Sequence, residues 1–441
     1  MEVEEYTFKE LLSRIVDNRG RTCPTAETGT ALIATNCIKD DQLYPVFEKV
    51  RWVDQETMET WFRGHPEPGD ILFVLKGSPG RCCLVPDPIN FCIAQDMLAL
   101  RADETKVSQK FLFALLRSSI VRNAIDNLHV GTMIPHFKKG DFDQLRFQIP
   151  KSRKIQEWIG EQYFILSDKI ELNRRMNATL EGMAQALFKS WFVDFDPVLD
   201  NAILAGSPIP DEFAERAKVR RKLLEQNQND ECSVMNDELN ESSTQNSSLR
   251  THHSLFPATF QETEAMGWIP EGWKAAKLSD LLVVKYGKDH KKLSEGSIPV
   301  YGSGGLMRYA DKSLYSGESV LIPRKGTLSN ILYLKEEFWT VDTMFYTIPK
   351  HEHAPKYAFY HLKGLDFTSM NVGSAVPSMT TKVLNELPII IPDDISLKCF
   401  NEILTSYFDK SEANNKQSQS LTKLRDTLLP KLISGELSTN L

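Results

Sequence analysis

The polar side chains best placed for chemistry lie in loops, at matching places in the two halves of the 441-residue chain. Lys76-Gly77-Ser78-Pro79-Gly80-Arg81 in the first half corresponds to Lys325-Gly326-Thr327-Leu328-Ser329-Asn330 in the second. Thr132, His136, Lys138 and Lys139 correspond in the same way to Ser374, Ser378, Thr380 and Thr381. Arg and Lys suit guanine edges and phosphates, and Asn suits adenine. Glycine lets backbone amides approach a phosphate closely. Ser303 joins this candidate nucleic-acid set, although Gly302-Ser303-Gly304-Gly305 lacks the spacing of a dinucleotide fingerprint and reads first as a turn. For any one of these side chains the plain alternative is a solvated turn residue, and the paired placement is what favours the loops as a group.

Catalytic constellations are scarce. The chain has no Gly-x-x-x-x-Gly-Lys-Ser/Thr loop for a nucleotide and no His-Glu-x-x-His metal pair among its nine histidines. His351 and His353 flank Glu352 in what reads as a solvated turn. Cys82 and Cys83 are expected on a strand, where adjacent side chains point to opposite faces, so they read as core rather than as a redox pair. The acidic or Asn-Pro-Pro-aromatic motif of an amino-methyltransferase is missing too. An autonomous enzyme is not expected.

Composition bounds the rest. The 25% charged and 41% hydrophobic fractions suit a soluble globular chain of two or three domains. No apolar run is long enough for a membrane span, the start Met1-Glu2-Val3-Glu4-Glu5 is acidic, and the seven cysteines form no regular framework. A cytoplasmic protein is expected. The net charge of −7 does not advertise nucleic-acid binding. It is uneven, however: residues 194–266 hold 6 basic and 14 acidic side chains, while 267–392 hold 15 and 12, and 1–150 hold 18 and 21.

The elements that must position the loops form a long internal repeat. Val130-Gly131-Thr132-Met133-Ile134-Pro135 recurs 242 residues later as Val372-Gly373-Ser374-Ala375-Val376-Pro377. Lys76-Gly77-Ser78 recurs at an offset of 249, Met97 as Met344 at 247, and Asp168-Lys169 as Asp409-Lys410 at 241, a drift that small loop insertions would produce. Each half begins with short apolar runs punctuated by Gly and Pro, which read as strands and turns. A helical patch follows, as at 110–116, and a long helix is expected shortly after Pro150 and after Pro392. In the first long helix Tyr163, Leu166, Ile170, Asn173, Asn177, Leu180, Ala184, Leu187 and Trp191 make a heptad seam. In the second, Phe400, Leu404, Tyr407, Ser411, Asn414, Ser418, Leu421, Arg425, Leu428 and Leu432 do the same. Both seams turn polar in the middle, which lowers stability but fixes register. About 29 residues of such a helix span roughly 43 Å. The alternative is two amphipathic helices packed on separate domains. Between the halves, 226–251 is expected to be a disordered linker, preceded by a short charged helix at 216–225, with order restarting at Trp268.

The run Gln185-Ala186-Leu187-Phe188-Lys189-Ser190-Trp191-Phe192-Val193-Asp194-Phe195-Asp196-Pro197-Val198 resembles the central conserved region of specificity (S) subunits of type I restriction-modification systems. Ile269-Pro270-Glu271-Gly272-Trp273, the C-terminal Leu429-Pro430-Lys431-Leu432-Ile433-Ser434-Gly435-Glu436-Leu437 and the paired Val-Gly-x-x-x-Pro segments agree with it. The stretched acidic segment 199–255 departs from the family pattern.

The resemblance implies a mixed α/β (α+β) fold. Two tandem target recognition domains, 1–150 and 267–392, would each be followed by a conserved helix, 151–198 and 393–441, with 199–266 as an acidic, partly disordered linker. The two helices would pack as an antiparallel coiled-coil spacer. Each domain would read one half of a bipartite asymmetric site on double-stranded DNA, the spacer setting the gap, since major-groove faces recur about every 34 Å. Two modification (M) subunits would methylate adenine with S-adenosylmethionine, flipping the base, and restriction (R) subunits would add ATP- and Mg-dependent cleavage. This chain itself would carry no cofactor and no catalytic residue. Trp191, Phe192 and Phe195 are expected to anchor the helices or an M subunit, or to pack within the core. A non-catalytic coiled-coil scaffold, or an inactive allele of the same family, is the alternative function.

Overall fold

The structure, a computed structural model, describes residues 1–20, 22–127, 136–234, 255–367 and 379–437, with side chains left undescribed at 227–234. It divides into two compact units: residues 1–178 with 411–441, and residues 179–410.

The first unit is built on a four-stranded antiparallel sheet in the order Leu12–Val16, Met97–Ala102, Ile71–Val74, Cys82–Leu84. Ile71–Val74 is buried along its whole length, which is why it reads as an unbroken apolar run rather than an alternating one. A three-stranded sheet, Arg51–Val53, Thr30–Ile33, Phe91–Ile93, combines an antiparallel and a parallel pairing. Val3–Thr7 pairs with Arg146–Pro150 and brings the chain to the first long helix, Arg153–Phe192. The helix Gln109–Arg117 starts at Ser108, whose hydroxyl accepts from the Phe111 amide at 3.1 Å, the usual way to satisfy a free helix N–H. Cys82 lies in one apolar cluster and Cys83 in another, on opposite faces of their strand.

The second unit repeats the pattern. Its four-stranded sheet runs Leu282–Tyr286, Met344–Pro349, Ser319–Pro323, Leu332–Leu334, and its three-stranded sheet runs Gly305–Ala310, Ile298–Gly302, Trp339–Thr340. Pairing senses match those of the first unit strand for strand. Lys274–Lys277 pairs with Pro388–Ile391, and the second long helix, Asp394–Ile433, follows. Its first amides are capped by Asp393, whose carboxylate accepts from the Ser396 amide at 2.9 Å and from the Trp273 indole at 2.9 Å.

Each unit takes part of both long helices, and within each unit they pack antiparallel. In the first, Asn173 donates to Gln417 at 2.8 Å and Ser418 at 3.2 Å, and Asn414 donates to Asn177 at 2.8 Å. In the second, the Phe192 ring meets Phe400 and Tyr357, each at 4.9 Å and nearly edge-on, and Trp191 meets Phe256 at 4.9 Å. The seam expected from the heptads is therefore the packing face of both helices.

The acidic segment departs from the sequence expectation. The described residues include two helices here, Asp196–Ala205 and Ala214–Val234, the second containing the charged helix expected at 216–225 and running on past it, and the hairpin Phe260–Thr263 and Gly267–Pro270 begins ahead of Trp268. Two of the acids counted in this stretch are buried counterions. Asp196 takes both arms of Arg216 at 2.7 and 2.8 Å, and the fully buried Asp200 takes Arg220. Burial works against the Asp196 carboxylate, but hydrogen bonds from Arg216 and Ser190 outweigh it and hold the group below the usual carboxylate range. The remainder of the expected linker, 235–251, lies outside the described residues.

Two consequences can be measured. Phe192→Ala leaves a cavity among Phe400, Tyr357 and Trp273 and is expected to destabilise the second unit by about 3–5 kcal/mol in urea unfolding; a cost below about 1 kcal/mol would refute the core assignment. Burial also drives the imidazole of His361 down to about 4 from an ordinary value near 6.5. Between those values the unfolded chain binds more protons, so the stabilisation is whole above about pH 6.5 and falls as pH drops toward about 4, by up to about 3 kcal/mol. Comparing wild type with His361→Gln at pH 7.5 and 5 isolates this contribution, and equal slopes would remove it.

Candidate nucleic-acid interface

In the second unit the strand Ser319–Pro323 runs into a loop over residues 324–330. The amides of Arg324 and Lys325 bond the Thr343 carbonyl at 2.8 and 3.3 Å, and the Arg324 carbonyl accepts from the Met379 amide at 2.9 Å. Leu328 is buried and pins the loop, leaving Lys325, Thr327 and Ser329 exposed on either side of it. The Asn330 side-chain amide donates to the Ser303 carbonyl at 2.9 Å, so the loop holds the hairpin turn that follows Ile298–Gly302. Gly326 has φ +88°, and a Cβ there would meet the Ser303 hydroxyl at 3.0 Å. Glycine permits both the backbone conformation and the close approach. Thr380 is exposed and caps the helix Thr381–Asn385, accepting from the Val383 amide at 3.3 Å.

The first unit builds its loop with equivalent bonds. The Leu75 amide bonds the Asp96 carbonyl at 2.7 Å, and the Leu75 carbonyl accepts from Phe137 at 2.8 Å, which brings Lys76 beside His136 in an isolated bridge. Lys76, Lys138 and Lys139 are exposed, and Ser78 and His136 are half-buried. Lys139 lies 4.0 Å from Asp17, which Arg19 grips through two bonds of 2.8 Å. Those hydrogen bonds, more than the opposing burial, lower the Asp17 carboxyl and keep it charged.

The structure thus gathers Ser303, Lys325, Thr327, Ser329 and Asn330, with Thr380 tied in through Arg324 and Met379. It likewise gathers Lys76, Ser78, His136, Lys138 and Lys139. Arg81 turns away to Asp40 at 3.3 Å, an acid it shares with Arg122. Thr132, Ser374 and Ser378 lie outside the described residues. Trp191, Phe192 and Phe195 are only 4–5% exposed and lie in the apolar core of the second unit, where Trp191 and Phe192 pack on Phe400 of the second long helix.

Residues that the repeat comparison did not single out also belong here. The Arg324 guanidinium lies over the exposed Tyr286 ring, 5.4 Å from its centre, and the Tyr286 hydroxyl meets the Thr381 hydroxyl at 3.2 Å. Arg324 corresponds to the apolar Leu75, so matching the halves hid it; its place next to Lys325 was the available signal. Among the described residues no group of His, Cys, Asp or Glu is arranged to hold a metal, and no helix is long and apolar enough to cross a membrane.

The model of the type I restriction-modification DNA specificity domain matches twice, over residues 25–182 and 270–423. The chain is 26% identical over 415 residues to the type I restriction enzyme HindI specificity subunit of Haemophilus influenzae, covering 84% of this chain and 86% of that one. It is 24% identical over 404 residues to the MjaIX specificity subunit of Methanocaldococcus jannaschii, covering 84% and 78%. The crystal structure of a type I restriction-modification S subunit from M. genitalium shares the fold, with a TM-score of 0.52, 17% identity and coverage of 98% and 96%. A domain found twice over most of the chain, on a duplicated scaffold, settles the family: the chain belongs to the type I restriction-modification DNA specificity family, as a non-catalytic specificity subunit with two recognition domains.

Proposed function

We propose that residues 1–150 and 267–392 are target recognition domains that each read one half of a bipartite, asymmetric site on double-stranded DNA. The helices within 151–198 and 393–441 set the gap, and 199–266 connects the halves. The observation that carries this reading is that equivalent backbone bonds build both loops while the side chains they present differ. Phe137 bonds Leu75 as Met379 bonds Arg324. Yet one loop offers Lys76 and Ser78 beside an Asp17–Arg19–Lys139 cluster, and the other offers Lys325, Thr327 and Asn330 beside Tyr286 and Thr381. Identical readers would fit a palindrome; matched scaffolds with different readers fit an asymmetric site.

Lys76, Ser78, His136, Lys138 and Lys139 face the first half-site, and Ser303, Lys325, Thr327, Ser329, Asn330 and Thr380 face the second. Thr132, Ser374 and Ser378 extend the two sets, while Arg81 acts through its ion pair with Asp40. Two M subunits dock on the helices and R subunits complete a cytoplasmic complex; S-adenosylmethionine, ATP and Mg belong to those partners. Ile165 and Leu172, one heptad apart and at least half exposed on the first long helix, offer an apolar docking stripe.

Methylated adenines mapped by single-molecule sequencing test the reading, in a methylation-free host carrying the M subunit with or without this chain. A bipartite motif is expected only with the chain present. Asn330→Ala frees the Ser303 turn and is expected to alter the second half-site while leaving the first unchanged. A single undivided motif, or changes at both halves, would overturn the assignment.

A further inference from the structure

We infer that in the second unit the hairpin Ile298–Gly302 and Gly305–Ala310, with the basic segment 285–292 clamped to it, is a second DNA-contacting arm in which Leu306 and Met307 meet thymine methyl groups while lysines hold the phosphates. This rests on the reading that the unit recognises a half-site.

The hairpin presents an unusual surface. Leu306, Met307 and Tyr309 are 51%, 55% and 51% exposed, and no other strand among the described residues bares three large apolar side chains. Gly305–Ala310 is an edge strand of its sheet, and about half of each of these side chains is left open to solvent. The pairing slips between Val300 and Tyr301, so that Leu306 stands opposite Tyr301 and Arg308 opposite Val300, with Met307 as the extra residue. Met307 folds over Gly302: a Cβ at that glycine would lie 2.5 Å from its sulfur. The strand's arginine is turned inward, with Arg308 donating to the His290 ring at 3.2 Å and to the Leu293 carbonyl at 3.0 Å. What the arm offers outward is apolar.

Arg308 also joins the hairpin to a strongly basic stretch. Lys285, Lys288, Lys291 and Lys292 are all exposed, and none lies within ion-pair distance of a carboxylate among the described residues. The Lys288 backbone is held at both ends, its amide on the Thr340 carbonyl and its carbonyl on the Trp339 indole, each at 2.9 Å. An apolar strip beside four lysines, offset within the segment by Asp289, is poorly suited to an apolar protein partner and well suited to a polyanion with apolar groups in its groove. A two-stranded ribbon fits the major groove, where the thymine methyl is the apolar feature. The turn of the same hairpin carries Ser303, which Asn330 ties to the reader loop, so the two surfaces are continuous.

The test uses the full chain assembled with its M subunit, on duplexes in which single thymines of each half-site are replaced by deoxyuridine, which lacks only the methyl. Wild type is expected to lose about fourfold in affinity at one or more thymines of the second half-site. The Leu306→Ala, Met307→Ala variant is expected to show no such loss there, while a wild-type urea midpoint and retained methylation at the second half-site confirm that its second unit folds. Replacing Lys288, Lys291 and Lys292 by Ala is expected to flatten the log–log salt dependence by about 2–3 without changing the motif. Equal responses of wild type and the apolar variant to every substitution, or a second half-site with no A·T pair, would overturn the arm alone. Absence of any bipartite motif from the wild-type complex would overturn the underlying reading, and the arm with it.

Discussion

The register of the two long helices is the constraint on which both units depend. In the first unit Asn173 sits at the centre of the seam, almost fully buried, and its amide is shared among the Asn414 carbonyl, Gln417 and Ser418. A slip by one turn would leave buried amides without partners, which costs more than those hydrogen bonds contribute when made. Polar seam residues thereby trade stability for one alignment. With that alignment, Leu429, Leu432 and Ile433 from the end of the chain join Phe111, Phe113 and Tyr163 in the first unit's core. In the second unit Phe188, Trp191 and Phe192 from the middle of the chain join Phe400 and Leu404. Neither core can be completed from its own half of the sequence.

Duplication explains how one scaffold can serve two readers. Sheet order, pairing sense and the loop-closing bonds are the same in both units because they depend on backbone and on buried apolar residues. The side chains at the loop rims lie outside the apolar cores and carry no such burden. They can differ between units at small cost to the fold, as Asp17 and Arg19 in one and Tyr286 in the other illustrate.

Periodicity was legible because it reflects repeated physical tasks. The slowly drifting offset near 245 corresponds to matched strands, the heptads to the helix seam, and the adjacent cysteines to two faces of one strand. Features that depend on pairing across the chain were not legible. The arginines that neutralise Asp196 and Asp200 lie 20 residues away, and only the packing of two helices brings them together. The ion pair of Arg81 with Asp40, which lies about 40 residues earlier in a different loop, has no local signature either. Trp191, Phe192 and Phe195 were recognisable as an anchor, but a string of aromatic residues does not say whether its partner is another chain or its own core.

By itself the sequence determined the duplicated architecture, the mixed strand-then-helix grammar of each half, the polar heptad seam and the family resemblance. These follow from spacing and residue type, which a linear chain displays directly. Tertiary structure decided which loop side chains share a surface, which charges are neutralised, and that each core draws on both long helices. Such outcomes depend on through-space distances between residues far apart in the chain, as with Asn173 and Ser418 or Asn330 and Ser303, and no local pattern encodes them.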